Sequence, residues 1–151
     1  NSASLICTVL TADCLPILLC NQQGSEVAAI HGGWRSLASG IIANTFKQLE
    51  SKPEDILAWL GPCIHPDAFT VGDDVKEAFM SQNDQASNAF VQTDDHHWQA
   101  DLSLLATQLL EKLGITAIFR TEYDTSRYPD LFYSYRREKT TGRFATGIYF
   151  E

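Results

Sequence analysis

Positive charge is scarce in this sequence: 11 Lys and Arg stand against 19 Asp and Glu, a formal charge of −8 over 151 residues. Nucleic acid and anionic membrane surfaces call for a basic footprint, so neither is an expected partner. Any anion site must be a small local feature. Long apolar runs are also lacking: none approaches the roughly 18 residues that a membrane span requires, and no secretory leader is visible. Cysteine is sparse, with Cys7, Cys14, Cys20 and Cys63 all in the first half. A disulfide scaffold would be shorter and denser in Cys, so reduced thiols in a cytoplasmic protein are expected. Methionine occurs once, as Met80, and the chain opens Asn1-Ser2-Ala3-Ser4. The natural start is therefore expected to lie upstream of residue 1.

What is present suits one domain over 1–151. A chain of this length buries about 68–70% of its unfolded surface, enough for a core without staples. Short branched apolar runs at Leu5–Leu10, Pro16–Cys20, Glu26–His31 and Asp55–Leu60 predict buried strands. From Trp34 the period changes: Leu37, Ala38, Ile41, Ile42, Thr45, Phe46 and Leu49 follow at helical spacing, predicting one helix to about Glu50. A short strand near Phe69–Val71 and a helix over Asp74–Phe79 come next. Ser81–Asn88 is expected to be loop or surface helix. Asp101 caps a predicted helix with a Leu102, Leu105, Leu109, Leu113 stripe, stopped by Gly114. Ile115–Arg120, Phe132–Arg136 and Arg143–Phe150 read as the last strands, with Thr140-Thr141-Gly142 turning between the final two. The class is mixed α/β, with strand order open.

The chemistry concentrates in Thr11-Ala12-Asp13-Cys14 and, after sixteen intervening residues, His31-Gly32-Gly33-Trp34-Arg35. Cys14 lies in a break between strands, and His31 ends a strand before a Gly-Gly turn and a helix start. Such edges are where α/β sheets place ligands. The pair suits a zinc site, a Cys–His nucleophilic pair, or an inert buried thiol beside a hydrogen-bonded imidazole. Gly32, Gly33 and Arg35 together offer close backbone approach and a guanidinium for a phosphate or carboxylate; a surface Arg beside a tight turn is the plainer alternative. Cys63 and His65, behind Gly61-Pro62, are too close and too alone for a metal pair, and are expected at the pocket rim. His96-His97 reads as solvated. Tyr133, Tyr135, Arg136 and Arg137 read as a strand with an aromatic core face and a charged outer face.

Four segments in order, TADCLPILL, HGGWRSLASGII, GPCIHPDAFTVGDDV and FYSYRREKTTGR, resemble the YfiH-type family, whose labels are laccase-domain protein, polyphenol oxidase and purine nucleoside phosphorylase. The resemblance spans nearly the whole chain. It implies a four-layer α/β/β/α sandwich with mixed sheets, shared distantly with cytotoxic-necrotizing-factor deamidases. It implies one zinc, or copper, held by a His, a Cys and a His, of which Cys14 and His31 match the last two. The first His belongs to an N-terminal portion that is not in this sequence; no His precedes Cys14. The implied activities are phosphorolysis of adenosine, inosine, guanosine and methylthioadenosine, plus adenosine deamination, so purine nucleosides and phosphate are the expected partners. In that reading Cys14, His31 and Arg35 are catalytic, and Gly32, Gly33 and Arg35 bind phosphate.

Three alternatives remain: a metal-free Cys14–His31 hydrolase, a copper polyphenol oxidase, and a non-catalytic remnant. A multicopper site needs many His, often as His-x-His; four His without such a pair favour nucleoside chemistry. A three-ligand zinc with an open position is a Lewis-acid or hydrolytic site.

Overall fold

The computed structural model describes residues 5–150. Its frame is a four-stranded sheet of β2 (Leu15–Asn21), β3 (Val27–Gly32), β4 (Ile56–Leu60) and β8 (Ala117–Arg120), in the order β3-β2-β4-β8. β2 runs antiparallel to both β3 and β4, and β8 joins β4 in parallel. Strand alternation then sorts the side chains. Ile17 pairs with Ile30 and Leu60, and Leu19 pairs with Ala28 and Ala58, so these residues share one face. That face enters the core with Leu37 of α1 (Trp34–Ala38), Ile42 of α2 (Ile41–Phe46), and Leu102, Leu105 and Leu110 of α4 (Leu102–Lys112). On the other face Leu18, Cys20, Leu57 and Trp59 are half-buried and Phe119 is 57% exposed.

A two-stranded ribbon, β1 (Cys7–Thr11) with β9 (Phe144–Ile148), lies beside β3 and pairs the two ends of the described chain. A small antiparallel sheet completes the fold, made by β5 (Thr70–Gly72), β6 (Phe90–Gln92) and β7 (His97–Ala100) in the order β5-β7-β6. Between β5 and β6 lie α3 (Asp73–Met80) and a 3-10 turn over Asp84–Ala89. The class is thus mixed α+β with several sheets, as the sequence implied. Among the described residues, no helix is long and apolar enough to cross a membrane.

Three expectations are corrected. The single helix from Trp34 is two, because Gly40 takes a left-handed φ of 81° and ends the first while its N–H reaches back to Leu37 O. β6 and β7 were not anticipated: both are short, and with Gln92, His97 and Gln99 among their few residues they carry little apolar alternation to read. Phe132–Arg136 is not a strand, and Tyr133 and Tyr135 are 51% and 48% exposed rather than core. Its backbone donors go into turns: Glu138 N–H donates to Ser134 O, and Arg136 N–H donates to the Asp13 carboxylate. The strand partner of β9 is β1. The cap on α4 is as expected, with Asp101 Oδ1 accepting from Leu104 N–H at 2.8 Å.

The register gives a direct test. Leu19→Ala, on the fully buried face, should lower the unfolding free energy by about 2–5 kcal/mol. Leu18→Ala, one residue away on the half-open face, should cost clearly less. Urea denaturation of both variants checks the assignment; equal losses would reverse it.

Candidate functional site

The site starts from a sharp bend between β1 and β2. Asp13 adopts a left-handed φ of 86°, a conformation that Asp tolerates better than most non-Gly residues. Its side chain is 8% exposed, and both carboxylate oxygens are engaged. Oδ1 accepts from Thr125 Oγ1 at 2.7 Å, and Oδ2 accepts from Arg136 N–H at 2.6 Å. The Asp13 carbonyl accepts from Ile64 N–H at 3.0 Å. One bend therefore gathers three distant segments: the loop after β4, the turn at 124–127 and the turn at 134–138.

The neighbouring segments are tied as well. Buried Asp124 accepts from Ser126 N–H and Oγ, and pairs with Arg127, which also reaches Asp67. The Arg137 guanidinium donates to the carbonyls of Thr125, Ser126 and Phe132 at 2.8–3.2 Å.

Cys14 and His31 meet across the open end of the β2–β3 hairpin. A methyl at Gly33 would lie 3.2 Å from Cys14 Sγ and 3.7 and 3.8 Å from His31 Cδ2 and Nε2, so thiol and imidazole both border Gly33, where a larger side chain would crowd the thiol. Gly32 is needed for another reason, since a Cβ there would meet Leu15 O at 2.7 Å and block the close strand pairing. Cys14 is half-buried and His31 exposed. Burial, then the Asp13 carboxylate, push the Cys14 thiol above its ordinary range, and Arg143 pulls it back. A thiol sulfur and an imidazole nitrogen bordering one residue fit, by donor type, two positions of a zinc or copper ligand set. Among the described residues no third His, Cys, Asp or Glu completes a cluster.

Cys14 opens onto a cavity of about 290 Å³, walled by Trp34, Phe69, Tyr135 and Leu102, with Asp13, Arg136 and Lys139 as its charged members. Arg35 is exposed and does not line it; its guanidinium stacks 4.2 Å from the centroid of Trp34, which does. From the following loop Ile64 lines this cavity. Cys63 and His65 instead line a second one of about 180 Å³ with Asp101, Arg120 and Glu122. Cys63 is buried, and burial followed by the Asp101 and Asp124 carboxylates holds its thiol far above the usual range, an inert state. His96 and His97 are exposed, as anticipated, each hydrogen-bonded to a carboxylate, Asp73 and Asp94. Sequence reasoning missed Asp13, Tyr135, Arg136 and Lys139 as site members. The signal for Asp13 was an Asp inside a strand break; for the others, reading their segment as a strand hid them.

The family model for the multi-copper polyphenol oxidoreductase laccase matches residues 1–151. A protein of Escherichia coli named purine nucleoside phosphorylase YfiH is 48% identical over 149 residues, covering 99% of this chain and 61% of its own. A purine nucleoside phosphorylase of Haemophilus influenzae is 44% identical, covering 100% and 63%. A crystal structure of a Neisseria meningitidis protein superposes with a TM-score of 0.95 at 41% identity over 97% of this chain and 60% of that one. YlmD from Geobacillus stearothermophilus gives a TM-score of 0.89 at 28% identity, over 99% and 58%. The chain thus spans about three-fifths of the length of the relatives it matches.

The ties to Asp13 have a measurable weight. Asp13→Ala removes two hydrogen bonds to a carboxylate and leaves a β-carbon at positive φ, and should cost about 2–4 kcal/mol of stability. Asp13→Asn tolerates the same backbone and keeps one acceptor, and should cost about half as much. Thermal and urea unfolding of the pair checks this; equal losses would mean that the ionised carboxylate, which both variants lack, and not backbone strain, dominates.

Proposed function

Because the chain belongs to the multi-copper polyphenol oxidoreductase laccase family, and its relatives carry phosphorylase names, we propose that it is the metal-bearing part of a purine nucleoside phosphorylase. The observation that carries this reading is that Cys14 Sγ and His31 Nε2 both lie close to Gly33, with Cys14 lining an aromatic-walled cavity. Cys14 and His31 would hold one zinc, with a His from outside the described residues as third ligand. Bound there, zinc supplies a Lewis acid that polarises a substrate oxygen and lowers the pKa of water. Copper is the alternative metal that the family label raises.

The chain's own residues do the rest. Trp34, Phe69 and Tyr135 give flat apolar walls that suit a purine and exclude water from it. Gly33 leaves the approach to Cys14 and His31 open. Arg35 stacks on the Trp34 ring outside the cavity lining, and in this reading its part is to draw phosphate toward the cavity. In phosphorolysis a phosphate oxygen bonds to C1′ of the ribose while the C1′–N9 bond breaks, and the base leaves with a proton. Adenosine deamination, in which water oxygen replaces the C6 amino group and ammonia leaves, belongs to the same proposal. Free thiols at Cys7, Cys14, Cys20 and Cys63 suit a cytoplasmic setting. A metal-free hydrolase would need Cys14 as thiolate, which its burial and the neighbouring carboxylate oppose.

The test uses the full-length protein, inosine and inorganic phosphate, following hypoxanthine and ribose 1-phosphate by chromatography and metal by elemental analysis. Cys14→Ala and His31→Ala should each abolish bound zinc and lower turnover by about 100-fold or more. Cys63→Ser and His65→Ala should keep the zinc and change kcat/KM by less than about tenfold, ~1.4 kcal/mol. Full zinc content in Cys14→Ala would remove that residue from the site. A much larger loss in His65→Ala with zinc retained would move the proton chemistry to the second cavity.

A further inference from the structure

We infer that Arg136 and Lys139 form an anion-recognition wall of the Cys14 cavity and seat a phosphate dianion there. The inference deepens the phosphorolysis reading and rests on it for the identity of the anion as free phosphate.

The first ground is charge. Carboxylates outnumber cations in this chain, 19 to 11, and among the described residues three arginines pair with them. Arg127 pairs with Asp67 and Asp124, and Arg120 with Glu122. Arg137 is committed to three carbonyls and to Glu138. Among the described residues neither the Arg136 nor the Lys139 head group has a carboxylate or hydrogen-bond partner, as is also true of Arg35, Lys47, Lys52 and Lys76, and what sets these two apart is that both line one cavity. The Arg136 guanidinium lies 5.9 Å from the Phe69 centroid and the Lys139 ammonium 4.6 Å from that of Tyr135. Both rings line the same cavity as the two cations. An aromatic face steadies a cation without neutralising it.

The second ground is rigidity. The turn carrying them is anchored through its backbone and not through these heads. Arg136 N–H donates to Asp13 Oδ2, Arg137 N–H to Ser134 Oγ, and Glu138 N–H to Ser134 O. Among the described residues Asp13 is the cavity's one lining carboxylate, and its oxygens are taken by Thr125 Oγ1 and Arg136 N–H. It therefore holds the wall in place while its acceptors face other donors. Two free cations on a fixed turn, beside Cys14, make a preorganised anion seat. A guanidinium fork with an adjacent ammonium matches the tetrahedral oxygens and double charge of phosphate.

Free phosphate and the phosphate ester of a nucleotide share this chemistry, and two arms separate them. In the first, inorganic phosphate alone is titrated by calorimetry and phosphorus NMR against the wild type, Arg136→Ala, Lys139→Gln, the double variant and Arg136→Lys. In the second, adenosine 5′-monophosphate replaces phosphate. Steady-state kinetics with inosine gives KM for phosphate and for nucleoside separately, and melting curves confirm folding. Each single variant should raise the phosphate KM by about tenfold or more, with the nucleoside KM within about twofold. Arg136→Lys should recover part of the loss. Lys112→Gln, on α4 and remote from the cavity lining, should change nothing.

Undiminished phosphate and nucleotide binding in the folded double variant overturns the wall. Binding of the nucleotide alone, lost in the double variant, keeps the wall and assigns it to an ester phosphate. Phosphate binding that depends on both residues in a protein without phosphorolysis would sink the proposed function and leave the wall standing.

Discussion

The carboxylate of Asp13 is the constraint on which the rest of the site depends. A carboxylate at 8% exposure has to be satisfied, because an unpaired buried charge costs several kcal/mol. Here the satisfaction comes from residues more than a hundred positions away, Thr125 and Arg136. Electrostatic necessity at one strand break thereby dictates where two remote turns sit. The positive φ at Asp13 is part of the same arrangement, since it bends the chain so that Cys14 faces the mouth and the carboxylate faces inward. The cavity is thus a by-product of satisfying one acid.

Around that acid the chemistry divides in two. The donor pair Cys14 and His31 comes from a local hairpin and is shaped by a missing side chain at Gly33. The aromatic and cationic walls come from long-range packing. This division clarifies the tension between the family's copper-oxidase description and the phosphorylase names of relatives. One sulfur and one imidazole nitrogen are a sparse set for oxidase chemistry and a sufficient start for a single Lewis-acid centre. The walls, apolar and aromatic with two cations among them, are what the proposed nucleoside and phosphate reading rests on.

Much of this was legible in the sequence, and the exceptions have physical causes. β2, β3 and β4 were visible because their branched residues are buried on the helix-covered face and half-buried on the other, giving nearly continuous apolar runs. Asp101 and its leucine stripe were visible because a cap and a helical period are local signals. Gly40 was overlooked inside a good helical pattern, since periodicity registers side chains and not the one residue free to turn left-handed. Tyr133, Tyr135 and Arg136 misled by alternating. Period two implies a strand only where a partner strand exists, and here the backbone donors are drawn off by Asp13 and Ser134. Cys14 and His31 were singled out by motif and edge position, and the fold brings both beside Gly33. The cations that face the same cavity were not, because nothing near Arg136 in sequence announces a carboxylate that lies 123 residues away.

That separation also sets an order in time. Cys14 and His31 are joined by a single hairpin, whereas the Asp13–Arg136 bond closes a loop of 123 residues. Loop-closure entropy grows with the logarithm of length, so the longer closure costs about 2 kcal/mol more before any contact rewards it. Local pairing therefore precedes the long-range tie as the chain folds. During synthesis the hairpin emerges long before residue 136 does. The thiol and imidazole stand near each other first, on a face not yet walled, and the cavity forms beside Cys14 only when nearly all of the described chain is made.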